Sequence, residues 1–322
     1  MRSTARHLVV AAIIVCAARA EAAQLFISNE KDNSVTVLDT VTLQTVKTIP
    51  VGERPRGIRI TPDFRSVLVC VGDDDAIDVI DTEKLEVTRR IPTLADPEYL
   101  EVEPDGRRIF IANEDDAIVS VLEIATGISL AEINVGIEPE GMAFSPDGKL
   151  AVATSESTSM AHVIDTATYK LIANVLVDTR PRAAAFEKSG KRFWVSSEVG
   201  GTVAIIDAER FKVEGKIGFE IPGVRSELIQ PIGIRFSNDG KIAYVALGRA
   251  NRIAVVDVAT HKVTGYILVG QRPWHMEISP DGSHLYTANG LTNDVTVIDL
   301  TTQKAERSVP VGRLPWGIAL KP

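Results

Sequence analysis

The sequence predicts an all-β fold, a seven-bladed β-propeller with four-stranded blades, and three observations carry the prediction. The first is a ruler of prolines. Pro55, Pro97, Pro139, Pro181, Pro231, Pro273 and Pro315 are spaced by 42 residues, apart from one gap of 50. The second is a ruler of acids. Asp39, Asp81, Glu123, Asp165, Asp207, Asp257 and Asp299 keep the 42-residue spacing and place the single gap of 50 in the same unit. A period in the forties marks propeller-type arrays, in which each unit is one small sheet that buries its faces by stacking on its neighbours. The third observation is the strand count at the two ends. Three strands precede Pro55 and only one, residues 317–321, follows Pro315. One plus three makes the seventh blade, so the last strand is expected to join the blade that the first strands begin and to close the ring.

The elements of one unit follow in order in the copy that starts at Val269. Residues 275–279 read as the inner strand. Pro280-Asp281-Gly282 is a turn, because proline presets one backbone angle and glycine accepts a left-handed one. Residues 283–289, 294–299 and 304–311 supply the other three strands, rich in β-branched residues. The same turn slot holds Pro62-Asp63, Pro104-Asp105-Gly106, Pro146-Asp147-Gly148, Lys188-Ser189-Gly190 and Asn238-Asp239-Gly240. No segment sustains a helical period.

The repeats tile residues 24–322, which are expected to form a single propeller domain. Residues 1–23 read as a cleaved signal peptide: Arg2, Arg6 and His7 precede an apolar run too short to span a bilayer, and small-residue cleavage sites follow at residues 18–22. Cys16 follows Val15, which is too large for a lipid-attachment site. The product is expected to be periplasmic and monomeric, with no transmembrane segment. The formal net charge of −8 argues against a nucleic-acid partner, which needs clustered Lys and Arg. Cys70 lies in an apolar strand and reads as a buried small hydrophobe.

Candidate function sits where the blades depart from one another. Before the prolines stand Arg54, Asp96, Glu138, Arg180, Gln230, Arg272 and Leu314; after them stand Arg56, Glu98, Glu140, Arg182, Ile232, Trp274 and Trp316. One position further on, Tyr99 and His275 interrupt a ring of Gly and Ala and are expected to face each other roughly across the channel mouth. One reading is a site for a small polar or anionic ligand, built from Arg54, Arg56, Glu98, Tyr99, Glu140, Arg180, Arg182, Arg272, Trp274, His275 and Trp316. The competing reading pairs the charges between blades. It is favoured by Arg59 with Glu101 and by Arg235 with Glu277, which occupy one slot in adjacent blades. A lone mouth histidine makes no metal site, and the acidic runs Asp73-Asp74-Asp75 and Glu114-Asp115-Asp116 read as a solvated rim, so no metal is expected. No nucleophile elbow, haem motif or phosphate loop is present, and no cofactor is expected. The extra residues of the 50-residue unit, 218–230, read either as a lid or partner contact, or as an excursion packed on Phe219, Ile221 and Leu228.

Val51-Gly52-x-x-Pro55-x-Gly57, Val135-Gly136-x-x-Pro139-x-Gly141 and Val311-Gly312-x-x-Pro315-x-Gly317, with the Pro-Asp-Gly turns and Val-x-Val-Ile-Asp strands, resemble the YVTN-type propeller repeat. Seven such units behind a signal peptide, with one long insert, resemble the propeller group associated with PQQ-dependent alcohol catabolism. That resemblance implies a non-enzymatic exported binding or scaffold protein, with a periplasmic partner in a quinoprotein or transport system. It does not imply PQQ binding by this chain, since Trp194, Trp274 and Trp316 are too few to dock the cofactor blade by blade. The alternative is a lactonase-like hydrolase with His275, Arg272, Glu98 and Arg56 as catalytic residues at the mouth.

Overall fold

The computed structural model describes residues 23–322, so the expected leader lies outside the described residues except for Ala23. These residues form seven four-stranded antiparallel sheets. Blade 1 holds β1 (Gln24–Asn29), β2 (Ser34–Asp39) and β3 (Thr45–Pro50). The inner strands of blades 2 to 7 are β4 (Pro55–Ile60), β8 (Pro97–Val102), β12 (Pro139–Phe144), β16 (Pro181–Phe186), β20 (Pro231–Phe236) and β24 (Pro273–Ile278). The last strand, β28 (Pro315–Lys321), pairs antiparallel with β1 and is the inner strand of blade 1. The ring is closed in the way the strand count predicts. No helix among the described residues is long and apolar enough to cross a membrane.

The burial pattern follows from stacking. Second strands such as β5 (Ser66–Val71) are buried almost throughout, because both faces meet a neighbouring blade. Outer strands such as β7 (Glu86–Pro92) alternate between exposed and half-buried residues. The cores lie between blades, as where Phe26 and Val37 of blade 1 pack with Ile58 and Val69 of blade 2. The turn chemistry is the one expected. The Asp147 carboxylate accepts hydrogen bonds from Ser145 Oγ at 2.7 Å and from the Lys149 amide at 3.2 Å, and Gly148 takes the left-handed angle, φ 71°.

Two devices shape the channel. After each proline the inner strand leaves register with its neighbour, and in six blades pairing resumes only three residues on. The bulge frees the two residues after the proline from the ladder. In β8 pairing resumes one residue earlier, with Tyr99 opposite Ala112. The second device is a hydroxyl in the second strand. Ser28 Oγ accepts from the Gly317 amide at 2.9 Å and donates to the Arg56 carbonyl of the next blade at 2.6 Å; Thr154 and Ser196 repeat the arrangement. Cys70 occupies this slot in blade 2, and burial raises its thiol pKa, which suits the expected inert role. Gly141 is required where the inner strands converge, since a Cβ there would overlap the Arg182 carbonyl oxygen.

The insert packs at the blade 5–6 interface. Phe219, Ile221 and Ile229 are buried against Trp194, Val203 and Ala250, while Leu228 is only half-buried. The Glu220 amide donates to Tyr266 Oη at 3.1 Å, on the outer strand Lys262–Leu268. The segment is thus anchored on the two blades through Phe219, Ile221 and Ile229.

Candidate functional site

The channel is built in three layers. The upper layer combines the residues around each proline with the residue that follows each second strand. The latter set was not singled out in the sequence, although it obeys the same ruler: Glu30, Gly72, Glu114, Glu156, Glu198, Gly248 and Gly290. Glycine stands where a neighbour needs the room. A Cβ on Gly72 would meet the Arg54 guanidinium, one on Gly248 would lie 2.9 Å from Arg272 Nη1, and one on Gly290 would lie 2.7 Å from Trp274 Nε1.

The glutamates of this set engage the arginines expected to hold a ligand. Arg182 contacts Glu140 and Glu156 and reaches Glu198 through Nε at 2.7 Å. Arg180 Nε lies 2.6 Å from Glu156, and Arg272 Nη2 lies 2.7 Å from Glu198. Arg54 binds Asp73 at 2.6 Å, Asp96, and Glu98 at 3.1 Å; Arg56 binds Glu30 at 3.2 Å and Glu98. The arginines at the mouth are therefore engaged by the protein's own carboxylates. These five guanidiniums are held by carboxylates from their own blade, an adjacent blade or, for Arg272, the blade next but one, so the charges pair between blades.

The same crowding moves protons. Burial, and then the Glu140 carboxylate beside it, raises Glu156 to about 8. Against the cost of burial, Arg182 and a donated hydrogen bond from Glu156 hold Glu140 below the usual carboxylate range. The pair therefore shares one proton, resident on Glu156 at neutral pH. Since its folded-state pKa lies above its unfolded value of about 4.5, Glu156 favours folding fully below that value, and the contribution is lost as pH rises through 8. Glu156→Gln keeps a donor toward Glu140 without a titratable charge. In thermal unfolding between about pH 5 and 8, the wild-type Tm is expected to fall more steeply than that of Glu156→Gln; equal slopes would contradict the shared proton.

The middle layer is aromatic. Tyr99 and His275 do not face each other across an open mouth. Their ring centroids are 5.3 Å apart, and both contact Trp316, at 5.7 Å from Tyr99 and 4.3 Å from His275. Trp274 stacks on Trp316 at 5.8 Å, under the Arg272 guanidinium at 4.4 Å. The two tryptophans stack on each other in place of a ligand. Trp316 is 3% exposed and Tyr99 6%, so these side chains fill the channel between its two ends.

Below them lies a cavity of about 400 Å³. It is walled by Met142, Phe144 and Ile234 and opens between the turn prolines Pro104 and Pro146, on the face opposite the mouth. Arg59, Tyr99, Glu101, Arg235 and His275 also line it. Arg59 and Arg235 keep the interblade partners the sequence gives them: Arg59 Nε lies 2.8 Å from Glu101, and Arg235 contacts Glu277. Arg59 also donates to Tyr99 Oη and lies over its ring at 4.6 Å. Ala143 and Ala185 fill the same slot in two other blades and line the cavity. Burial, and then the Arg59 charge, lowers the Arg235 guanidinium to about 10. Burial, with Arg59, Arg235 and Arg182 nearby, holds His275 well below 6.5, so its imidazole is neutral at physiological pH.

Of the expected site residues, Tyr99 and His275 thus reach the cavity, Trp274 and Trp316 close it from above, and Arg54, Arg56, Glu98, Glu140, Arg180, Arg182 and Arg272 belong to the upper network. Of the four expected catalytic residues, Arg56 and Glu98 are in contact in the upper layer and Arg272 binds Glu198 there, while His275 faces the cavity below the aromatic layer. His162, set aside in the sequence, is a framework residue; its Nε2 accepts from the Gly136 amide at 2.9 Å.

Comparisons with known proteins follow the same lines. No curated protein is a significant match. Hydrazine synthase of Kuenenia stuttgartiensis is similar in structure, with TM-score 0.78 and 22% identity over 86% of this chain and 92% of that one. The periplasmic gluconolactonase PpgL of Pseudomonas aeruginosa is similar with TM-score 0.78 and 18% identity over 93% and 99%. A protein of unknown function from Desulfotomaculum acetoxidans has TM-score 0.79 and 16% identity over 92% and 98%. At such identities these likenesses establish the fold. The YNCE-like beta-propeller family matches residues 6–119, and the family described as Lactonase, 7-bladed beta-propeller matches residues 143–308. That second match spans just over half of the sequence, and the chain belongs to the seven-bladed β-propeller lactonase family.

Proposed function

We propose that the chain is an exported lactone hydrolase whose active site is the cavity beneath the aromatic layer. The observation that carries this reading is the convergence of a neutral histidine, a buried tyrosine and two arginines on one cavity, in a member of a lactonase family. Ester hydrolysis needs a base for water and positive charge for the oxyanion. His275 takes a proton from water as the water oxygen attacks the lactone carbonyl carbon. Negative charge then develops on the carbonyl oxygen, where Arg235 and Arg59 stabilise it, helped by the low dielectric of the site. Collapse breaks the ring C–O bond, and the imidazolium returns its proton to the departing alkoxide. The product is a hydroxy acid, which ionises in solvent. Met142, Phe144 and Ile234 offer the carbon skeleton an apolar wall.

The test is acid release, followed by pH-stat, from a panel of γ- and δ-lactones that includes glucono-1,5-lactone. Saturable hydrolysis above the buffer rate is expected for at least one of them. Buffer-rate hydrolysis across the panel contradicts the proposal and returns the chain to the non-enzymatic reading, in which a quinoprotein or transport partner is bound and nothing is turned over.

A further inference from the structure

We propose that Asp96, Glu98 and Glu114 form a cation site in the upper layer, suited to a hard divalent ion of the calcium class. Each residue offers one carboxylate oxygen, and the three oxygens lie within 4.8 Å of one another. Calcium takes oxygen ligands at about 2.3–2.6 Å, so oxygens on opposite sides of the ion stand roughly 5 Å apart, and all three fit one coordination sphere. Proximity of acids alone is common at protein surfaces. Here a second observation points to a ligand. The Glu98 side chain is 0% exposed, and its Oε2 has no hydrogen-bond partner. Arg54 and Arg56 both engage the other oxygen, Oε1. The Glu140 and Glu114 carboxylates both lie near Glu98, so like charges stand where the buried group needs a positive one.

Charge counting leads the same way. Arg54 and Arg56 are shared among four carboxylates, those of Glu30, Asp73, Asp96 and Glu98, and Glu114 adds a fifth beside Asp96 and Glu98. The neighbouring Glu140 is engaged by Arg182. A buried carboxylate with surplus negative charge around it takes up either a proton or a cation. A divalent ion bound to Glu98 Oε2 balances the charge and satisfies the orphan oxygen together. It also ties the loop before β8 to the loop after the strand Arg108–Asn113, both in blade 3. The site lies above the aromatic layer and is separate from the proposed catalytic cavity. Asp115 and Asp116 remain exposed, as expected for a solvated rim, whereas Glu114 is drawn inward.

The experiment titrates CaCl2 into the chelator-treated full chain by calorimetry and repeats thermal unfolding with and without about 2 mM CaCl2. One ion per chain and a Tm rise of roughly 2–5 °C are expected. Glu98→Gln and Glu114→Gln should each weaken binding by at least about tenfold and remove the Tm response. Glu114 is partly exposed, so its variant decides the matter if Glu98→Gln does not fold. Absence of heat and of any Tm response in the wild type overturns the proposal. So does binding of undiminished affinity by the folded variants, which would place the ion elsewhere on the acidic rim.

Discussion

Replacing His275 with glutamine is expected to lower kcat/KM for a hydrolysed lactone by at least about 100-fold, the scale of a lost general base. Glutamine retains hydrogen-bonding capacity but cannot take up a proton. The fold should survive, since the change forfeits chiefly the ring contacts with Trp316 and Tyr99. Arg272→Met is the matching control from the layer above. It leaves the buried Glu198 with one guanidinium fewer, so Tm should fall, while turnover by folded protein stays within about threefold. If Arg272→Met abolishes turnover and His275→Gln does not, chemistry belongs to the mouth. The wild-type pH profile offers an internal check. Because burial and the nearby arginines hold His275 well below 6.5, the acid limb of kcat/KM should descend only at a pH well under that value.

Deleting residues 315–322 is expected to abolish cooperative folding. The segment supplies the inner strand of blade 1, and with it Trp316, Ile318 and Ala319, all buried. Burying a large apolar side chain is worth about 1.5–3 kcal/mol, so losing Trp316, Ile318 and part of Leu320 consumes much of a typical net stability of about 5–15 kcal/mol. The deletion also bares the edge of β1 and removes the Gly317 amide that Ser28 Oγ accepts from. Thermal unfolding followed by circular dichroism should show no sharp transition. A sharp transition within about 5 °C of the wild-type Tm would mean that the ring does not depend on its closing strand.

Much of this architecture was legible in the sequence because it rests on local rules that repeat. Proline at the start of each inner strand, Asp-Gly in most turns and an acid at each third-strand end are the same local solution applied blade after blade. Chain-end arithmetic then fixed the closing strand. The site was harder, for two physical reasons. First, the arginines beside the prolines were visible, but their partners stand in another part of the repeat and reach them only through the ring. Glu156 and Glu198 share the 42-residue spacing and could have been found by aligning that slot as well. Second, whether Tyr99 and His275 line an opening or fill it depends on the volumes of Trp274 and Trp316 and on the shifted bulge of β8, which spacing does not encode. Conversely, Arg59–Glu101 and Arg235–Glu277 were read as interblade pairs, and they are. Sequence could not show that the alanines between them leave a cavity that those arginines face.

The proposed hydrolysis takes place in the cavity below the aromatic layer, and not at the mouth. The most direct measurement is a crystal structure of the wild-type protein soaked with the hydroxy-acid product of whichever lactone it hydrolyses. Product density is expected in the cavity, with its carboxylate toward Arg59 and Arg235 and its hydroxyl near His275. Density confined to the mouth, among Arg56, Glu98 and Arg272, would contradict it.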